Sequence, residues 1–399
     1  MWKCWLLIGL CILAKTSGAQ SWGSIPYPPG TGNDGALAFS IAEKFYYGGG
    51  KSGKELYEYY PRERTWTKKF DLPGVMTNRL NGIGFSIGMK GYVGLGLDTV
   101  LGSCDRKKDL WEYDAVLDSW SRKADFPDVT IEGNGVFVLN GKAYIGGGDF
   151  VNPSFYQYDP ASDKWTKKED IPAAPRGFPA MFSIGSYGYW MGGETLDSSF
   201  NDFYRYDPST NAWTALPVFP GLGRAKGVAF AIKGKGYLML GEHKHDQYFY
   251  QVFSYDTSMR TWSQIEFFPS QIRTGAVATV IGDTAYIGTG TGIGDTGELR
   301  DWWSFTPPKA SAMGTESESS NISFYPQPAQ RELHLRGLRS YCEYKIRIFD
   351  QLGRAHGYTE VMTELGVDPM LDISRLTPGV YMVMISNGTE LIKRSVVKE

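Results

Sequence analysis

A tyrosine followed seven residues later by a tryptophan recurs five times along this chain, and its spacing constrains the fold more than any other feature. The pairs are Tyr59/Trp66, Tyr113/Trp120, Tyr158/Trp165, Tyr206/Trp213 and Tyr255/Trp262. Successive tryptophans are separated by 54, 45, 48 and 49 residues. Self-similarity at such a period indicates a repeat architecture.

A short strand that ends in glycine precedes each aromatic pair, and it occurs six times, at residues 45–50, 92–96, 144–148, 189–193, 237–241 and 286–290. An apolar strand comes before it, and turn residues such as Asn140-Gly141 and Lys233-Gly234 predict a hairpin between the two. With the tyrosine and tryptophan strands, each unit has four short antiparallel strands. Such a sheet cannot bury both faces alone, so we expect six units stacked in a closed ring.

The sixth unit lacks its last strand. Phe305 aligns with the repeated tyrosines, but no tryptophan follows it. Trp22, followed by Ile25 and Pro26, has the pattern of the missing strand at the opposite end of the chain. We therefore expect the N-terminal segment to supply the outer strand of the last unit, which removes an exposed sheet edge.

The glycine doublets and the spaced tyrosines and tryptophans resemble the kelch repeat family over residues 21–308. The doublet is interrupted by Leu95 and Thr289 in two units and reduced to Gly241 in a third. The resemblance implies an all-β fold, a six-bladed kelch β-propeller that occupies residues 20–308.

The N-terminus predicts export. Lys3 is followed by an apolar run at residues 4–14 and by small residues at 17–19, so residues 1–19 read as a secretory signal peptide. An anchor helix is the alternative, but the run is too short to span a bilayer, and no membrane span is expected in the mature protein. Its cleavage would leave only Cys104 and Cys342, one in each folded part, which do not form a disulfide framework. The net charge of −2 argues against a nucleic-acid partner.

The last part of the chain has a different pattern. Residues 309–320 are small and polar, as in a linker, and residues 321–399 contain short alternating strands typical of a small antiparallel β-sandwich. The motifs at 325–328, 348–353 and 376–381 and the basic residues near the C-terminus resemble the type A C-terminal sorting domain of type IX secretion cargo, with Gln327 where the family usually has asparagine. The resemblance implies a Gram-negative source, contact with the type IX secretion machinery through residues 321–399, and a secreted or cell-surface protein. An adhesive or carbohydrate-binding sandwich is the alternative.

Arginine recurs at one position of the repeat, thirteen residues before the aligned tyrosine of four units. These residues are Arg79, Arg176, Arg224 and Arg273; Asn33 and Ile131 occupy the position in the other two units. The alignment places them around one mouth of the propeller channel, where they are predicted to bind an anionic ligand or to brace adjacent blades. Glu194, Glu242 and Asp149 are the acids expected to offset their charge.

Other chemistry is weakly indicated. His243 and His245 share one loop and would need further ligands to hold a metal, so neither a metal nor a cofactor is expected. Kelch propellers include copper oxidases, whose residue pattern is absent here, and a six-bladed sialic acid mutarotase. We therefore expect a binding module for an anionic glycan or protein. The alternatives are a sugar-acid mutarotase that uses Glu194 or Glu242 as proton carrier, and a non-catalytic surface scaffold.

Overall fold

The computed structural model describes residues 22–75, 77–100, 103–128, 132–148, 153–244, 247–293, 297–307, 323–336, 338, 343–350, 354–362, 368–386 and 391–399. The predicted signal peptide and linker lie outside these residues. Every regular element in the described part is a β-strand. No helix there has the length and apolarity needed to cross a membrane.

Six four-stranded antiparallel sheets form the larger part of the protein, numbered blades 1 to 6 in chain order, each running from an inner to an outer strand. Blade 1 consists of Ala36–Ile41, Lys44–Gly49, Leu56–Tyr60 and Thr65–Lys69. Blade 2 consists of Ile83–Ile87, Lys90–Gly94, Leu110–Asp114 and Ser119–Lys123. Blade 3 consists of Asn134–Leu139, Lys142–Gly147, Phe155–Asp159 and Lys164–Lys167.

Blades 4 and 5 follow the same order. Blade 4 consists of Ala180–Ile184, Tyr187–Met191, Phe203–Asp207 and Ala212–Leu216. Blade 5 consists of Val228–Ile232, Lys235–Met239, Gln251–Asp256 and Thr261–Phe267. Two-stranded hairpins extend from the loops of blades 2 and 5, at Leu97–Val100 with Ser103–Arg106 and Glu242–His243 with Gln247–Tyr248. In blade 6 the segment Arg273–Thr274, before the inner strand, pairs with Thr291–Gly292, after the second strand.

Blade 6 joins the two ends of the propeller. Its first three strands are Val277–Ile281, Thr284–Gly288 and Trp302–Phe305, and its outer strand is Trp22–Ile25. Trp22 pairs with Phe305 in antiparallel register, and the two rings lie 4.6 Å apart. The predicted closure by the N-terminal segment is therefore confirmed. The inner strands of successive blades contact one another, and that of blade 6 contacts that of blade 1, so the ring is closed.

The repeated aromatic residues hold neighbouring blades together. Each repeated tyrosine is buried and lies against the tryptophan seven residues later, with ring centroids 4.7–5.1 Å apart in the five pairs. Four of the indoles also donate a hydrogen bond to a carbonyl of the preceding outer segment, from Trp66 to Pro26, Trp120 to Phe70, Trp165 to Ala124 and Trp213 to Glu169. The repeat tryptophans therefore link blades as well as packing within them.

The C-terminal part is a small antiparallel sandwich. One sheet has the order Ser323–Tyr325, Glu332–Arg336, Met370–Asp372, and the other has the order Ala355–Met362, Glu343–Asp350, Gly379–Ser386, Leu391–Lys398. Apolar side chains of both sheets, including Leu333, Ile346 and Val383, form its core. Gln327 accepts a hydrogen bond from the backbone of Val397 at 3.1 Å and ties the opening turn to the last strand.

Candidate functional site

The repeated arginine position makes one contact that recurs around the propeller. In each of the four arginine-bearing blades, the guanidinium donates through Nη1 to the backbone carbonyl sixteen residues later: Arg79 to Leu95 at 2.7 Å, Arg176 to Gly192 at 3.4 Å, Arg224 to Leu240 at 3.1 Å and Arg273 to Thr289 at 3.2 Å. In blade 1 the Asn33 amide donates to Gly49 across the same interval. This position therefore ties the segment before the inner strand to the end of the second strand.

Three of the arginines also form bidentate ion pairs with an aspartate of the same blade. Asp109, Asp202 and Asp301 each lie four residues before the aligned aromatic residue of the third strand, and they accept from Arg79, Arg176 and Arg273 at 2.6–3.0 Å. Although burial raises the pKa of Asp301, its bonds and charge interaction with Arg273 outweigh this, and its pKa lies below the ordinary value. Paired donors in a fork suit a carboxylate held in this way.

Arg224 is the exception among the four. Its blade has Gln251 at the aspartate position, and the guanidinium lies between three rings, 4.2 Å from the centroid of Phe249 and within 6 Å of those of Phe219 and Phe253. Burial lowers the pKa of Arg224 to about 9. Blade 5 therefore holds a desolvated cation where the other three blades hold an ion pair.

The positions of the four arginines favour bracing over ligand contact. The four residues are no more than 2% exposed, and each guanidinium donates to a carbonyl of its own blade. The acids predicted to offset the arginine charge are not their partners. Glu194 and Glu242 pair with Lys226 instead, and Asp149 lies outside the described residues. The signal that was missed is the aspartate four residues before the repeat aromatic.

A ring of six equivalent residues lies at one mouth of the channel, each two positions after the arginine position and just before an inner strand. This mouth ring consists of Gly35, Asn81, Gly133, Phe178, Lys226 and Gly275. Five backbone N–H···O bonds of 2.7–3.4 Å join neighbours, each from one blade to the blade before it. All six residues have φ between 52° and 70°, a region that suits glycine and strains a bulky residue by about 1–3 kcal/mol. Phe178 and Lys226 adopt this conformation nevertheless, which indicates that their side chains have a role at the mouth ring.

Lys226 forms the centre of a charged cluster on this ring. Its ammonium lies 2.9 Å from Glu194 and 2.6 Å from Glu242, whose side chains are 5% and 4% exposed, whereas its own is 23% exposed. Burial alone lowers the pKa of Lys226, but the hydrogen bonds that its ammonium donates to both glutamates, together with their charges, outweigh this and raise it. The Phe178 ring centroid lies 4.9 Å from the ammonium. The structure thus brings together the two predicted glutamates and adds two residues that sequence analysis missed.

Further polar groups lie on or next to the mouth ring. Asn81 donates to Glu132 at 2.6 Å. Between blades 1 and 6, Lys51 lies 3.3 Å from Asp34 and 3.2 Å from Glu298. Carboxylates, an ammonium group and an aromatic face can together hydrogen-bond hydroxyls and stack against a sugar ring. Two carboxylates next to one ammonium can also exchange a proton with a bound molecule.

The histidine loop shows a structural contact. His243 lies 2.9 Å from the Gly223 carbonyl through its Nδ1, while His245 lies outside the described residues. In the part of the chain that the structure describes, no group of three or more metal-binding side chains is assembled. Cys104 is an exposed free thiol, and Cys342 is not among the described residues.

Comparison with known proteins supports both halves of the fold. Residues 323–399 match the family model described as Secretion system C-terminal sorting domain. The chain is 28% identical over 148 residues to N-acetylneuraminate epimerase 1 of Escherichia coli O6:H1 (strain CFT073), which covers 37% of this chain and 38% of that relative. The solved structure titled "Structure of YjhT" superposes with a TM-score of 0.64 and 17% identity over 72% of this chain and 98% of that one. At this identity the likeness concerns the fold.

The sorting domain indicates export to the cell surface or beyond. The topology in turn confirms the predicted six blades. The chain is thus an exported six-bladed β-propeller followed by a C-terminal sorting domain of type IX secretion.

Proposed function

We propose that the propeller is a binding module that takes a glycan at the mouth ring, with Glu194, Lys226, Glu242 and Phe178 as its contacts. The observation that carries this proposal is the charged cluster, whose ammonium is held between two carboxylates and below an aromatic face. The carboxylates are acceptors for hydroxyl groups, and the ring offers an apolar surface for a sugar face.

The charge of the site bears on the ligand class. The prediction of an anionic ligand depended on four arginines that are bound within their own blades. The cluster of Glu194, Lys226 and Glu242 contains two carboxylates and one ammonium, a formal net charge of −1 that repels an anion. A neutral, hydroxyl-rich glycan therefore suits it better than an acidic one.

A second candidate is an epimerase or mutarotase acting on a sugar acid. It is favoured by the sequence match to N-acetylneuraminate epimerase 1, and by the placement of Glu194 and Glu242 in the same cluster. In this case a glutamate carries the proton and Lys226 faces the substrate carboxylate. A passive scaffold, the third possibility, leaves the strained conformation of Lys226 and Phe178 without a purpose.

Isothermal titration calorimetry of the mature protein tests these proposals, first with a panel of neutral glycans, one at a time, and then with N-acetylneuraminate. Glu194→Gln keeps the size of the side chain, and Phe178→Gly installs the residue that three other blades have at this position. Both should weaken binding at least about tenfold, because each removes one hydrogen-bonding or stacking contact. Lys233→Ala is the matched control, since this lysine lies in a turn at the other end of blade 5 and pairs with Asp283.

The outcomes separate the candidates. Saturable binding without turnover, lost in Glu194→Gln and kept in Lys233→Ala, supports the module. Accelerated anomer exchange of N-acetylneuraminate, seen by NMR and abolished in Glu194→Gln, supports the enzyme instead. If all three variants bind the ligand with the affinity of the unsubstituted protein, a ligand site at the mouth ring is contradicted.

A further inference from the structure

Blade 5 differs from the other blades at two positions on its outer side. In five blades a buried residue lies six positions after the repeat tryptophan. Its backbone N–H donates to a carbonyl just before the third strand. The five bonds are Leu72 to Lys54, Phe126 to Lys108, Ile171 to Pro153, Phe219 to Asn201 and Phe268 to Tyr250. These bonds fix the structural equivalence of the residues around them. Tyr250 is thus equivalent to Lys54, Lys108, Pro153 and Asn201.

The neighbouring position shows the same change. Phe267, which precedes Phe268, is equivalent to Asp71, Asp125, Asp170 and Val218 in the first four blades. In those blades the two positions are half-buried or exposed. In blade 5 both are aromatic and buried, with Tyr250 1% and Phe267 3% exposed. An aromatic pair at positions that otherwise carry mostly polar residues requires a cover.

The cover is the sorting domain. The Phe349 ring lies 4.7 Å from that of Tyr250 and 5.4 Å from that of Phe267, and the Arg347 guanidinium lies 5.7 Å from the centroid of Tyr250. Phe349 and Met384 are 1% and 5% exposed, and they belong to the hydrophobic cluster of blades 5 and 6 rather than to the sandwich core.

The sorting domain is built for such a contact. In the strand Gly379–Ser386, Tyr381, Val383 and Ile385 face the core of the sandwich, while Met382 and Met384 point to the other face. A strand that is apolar on both faces is typical of a sheet covered on both sides. The two surfaces therefore match in chemistry, since each presents apolar side chains to the other.

We propose that Tyr250 and Phe267 form a dedicated docking surface on blade 5 for the outer sheet face of the sorting domain, centred on Phe349 and Met384. Tyr250 directly precedes the third strand of blade 5 and Phe267 ends the fourth, so the surface exists only when blade 5 has folded. The contact therefore couples coverage of the sorting domain to the folded state of its cargo.

Methionine oxidation of the full-length protein by dilute peroxide, read by peptide mass spectrometry, tests the docking. Met384 is 5% exposed, whereas Met370 in the same domain is 48% exposed, so Met384 should be oxidised about ten times more slowly. The double variant Tyr250→Lys, Phe267→Asp installs the residues that blade 2 carries at these positions, Lys108 and Asp125. In it Met384 should be oxidised as fast as Met370.

Buried methionines of the propeller serve as controls. Met191 and Met239 are 0% exposed and should stay protected in both proteins, which shows that the variant keeps its fold. If Met384 and Met370 are oxidised at the same rate in the unsubstituted protein, the proposal is overturned. Continued protection of Met384 in a double variant whose Met239 is protected also overturns it, because the aromatic pair is then dispensable for docking.

Discussion

The brace at the repeated arginine position leads to a prediction with a control inside the same protein. Replacement of Arg79 by methionine removes the charged partner of Asp109, whose side chain is 9% exposed and also accepts a hydrogen bond from the Trp111 indole. Breaking a buried ion pair on one side costs about 3–5 kcal/mol, because the remaining charge stays in a poorly solvated site. We expect a loss of this size in the free energy of unfolding.

The same change at Arg224 should behave differently. Arg224 has the equivalent carbonyl contact, to Leu240, but its blade has Gln251 in place of the aspartate. Methionine there loses one hydrogen bond, about 1 kcal/mol, and the attraction of the cation to the surrounding rings, about 2 kcal/mol. It also removes a buried cation whose desolvation costs several kcal/mol. Arg224→Met should therefore be close to neutral or stabilising, at least about 2 kcal/mol less harmful than Arg79→Met.

Urea unfolding monitored by tryptophan fluorescence measures both variants. The comparison is valid where the slope of the free energy with denaturant stays that of the unsubstituted protein. Equal losses for Arg79→Met and Arg224→Met would show that the carbonyl contact, and not the ion pair, makes the brace, and the electrostatic reasoning would then be refuted.

Three other predictions concern closure, export and pH. Deletion of residues 22–25 should lower the free energy of unfolding by more than the roughly 3–5 kcal/mol of a single buried Trp→Ala change. An unchanged melting temperature would contradict this prediction. Removal of residues 321–399 should leave a folded propeller in the periplasm, and normal amounts of this form at the cell surface, seen by fractionation, would argue against a sorting role. Because the pKa of Asp301 is lowered in the folded state, its contribution to stability should be present near neutral pH and decline as the pH falls below about 4. Arg273→Met should remove this decline, so acid titrations that are identical for both proteins would disprove it.

The blade repeat was predictable from the sequence, because its signals are local. The tyrosine and tryptophan spacing, the glycine strands and the position of Trp22 follow from strand period and turn chemistry, and the structure confirms the resulting ring and its closure. The hairpin turn at Asn140-Gly141 also has the predicted positive φ at both residues.

The partners of the charged residues were not predictable in the same way. Pairing Arg79 with Asp109 requires the segment before the inner strand to meet the start of the third strand, thirty residues away. The assignment of Glu194 and Glu242 to Lys226 requires neighbouring blades in their final positions. Position in the repeat identified these residues as special, but only the assembled ring shows what they contact.

Closure by Trp22–Ile25 has a consequence for the order in which the protein is made. The strand that completes blade 6 precedes the other described strands of the ring in the chain, and its partner Trp302–Phe305 comes about 280 residues later. Contacts between such distant segments form late, because the intervening chain must be ordered first. Until then the growing chain has an unpaired edge at one end and a detached tryptophan strand at the other. Premature termination of translation, or proteolytic removal of Trp22–Ile25, leaves an open ring whose unpaired strand edge can pair with another chain.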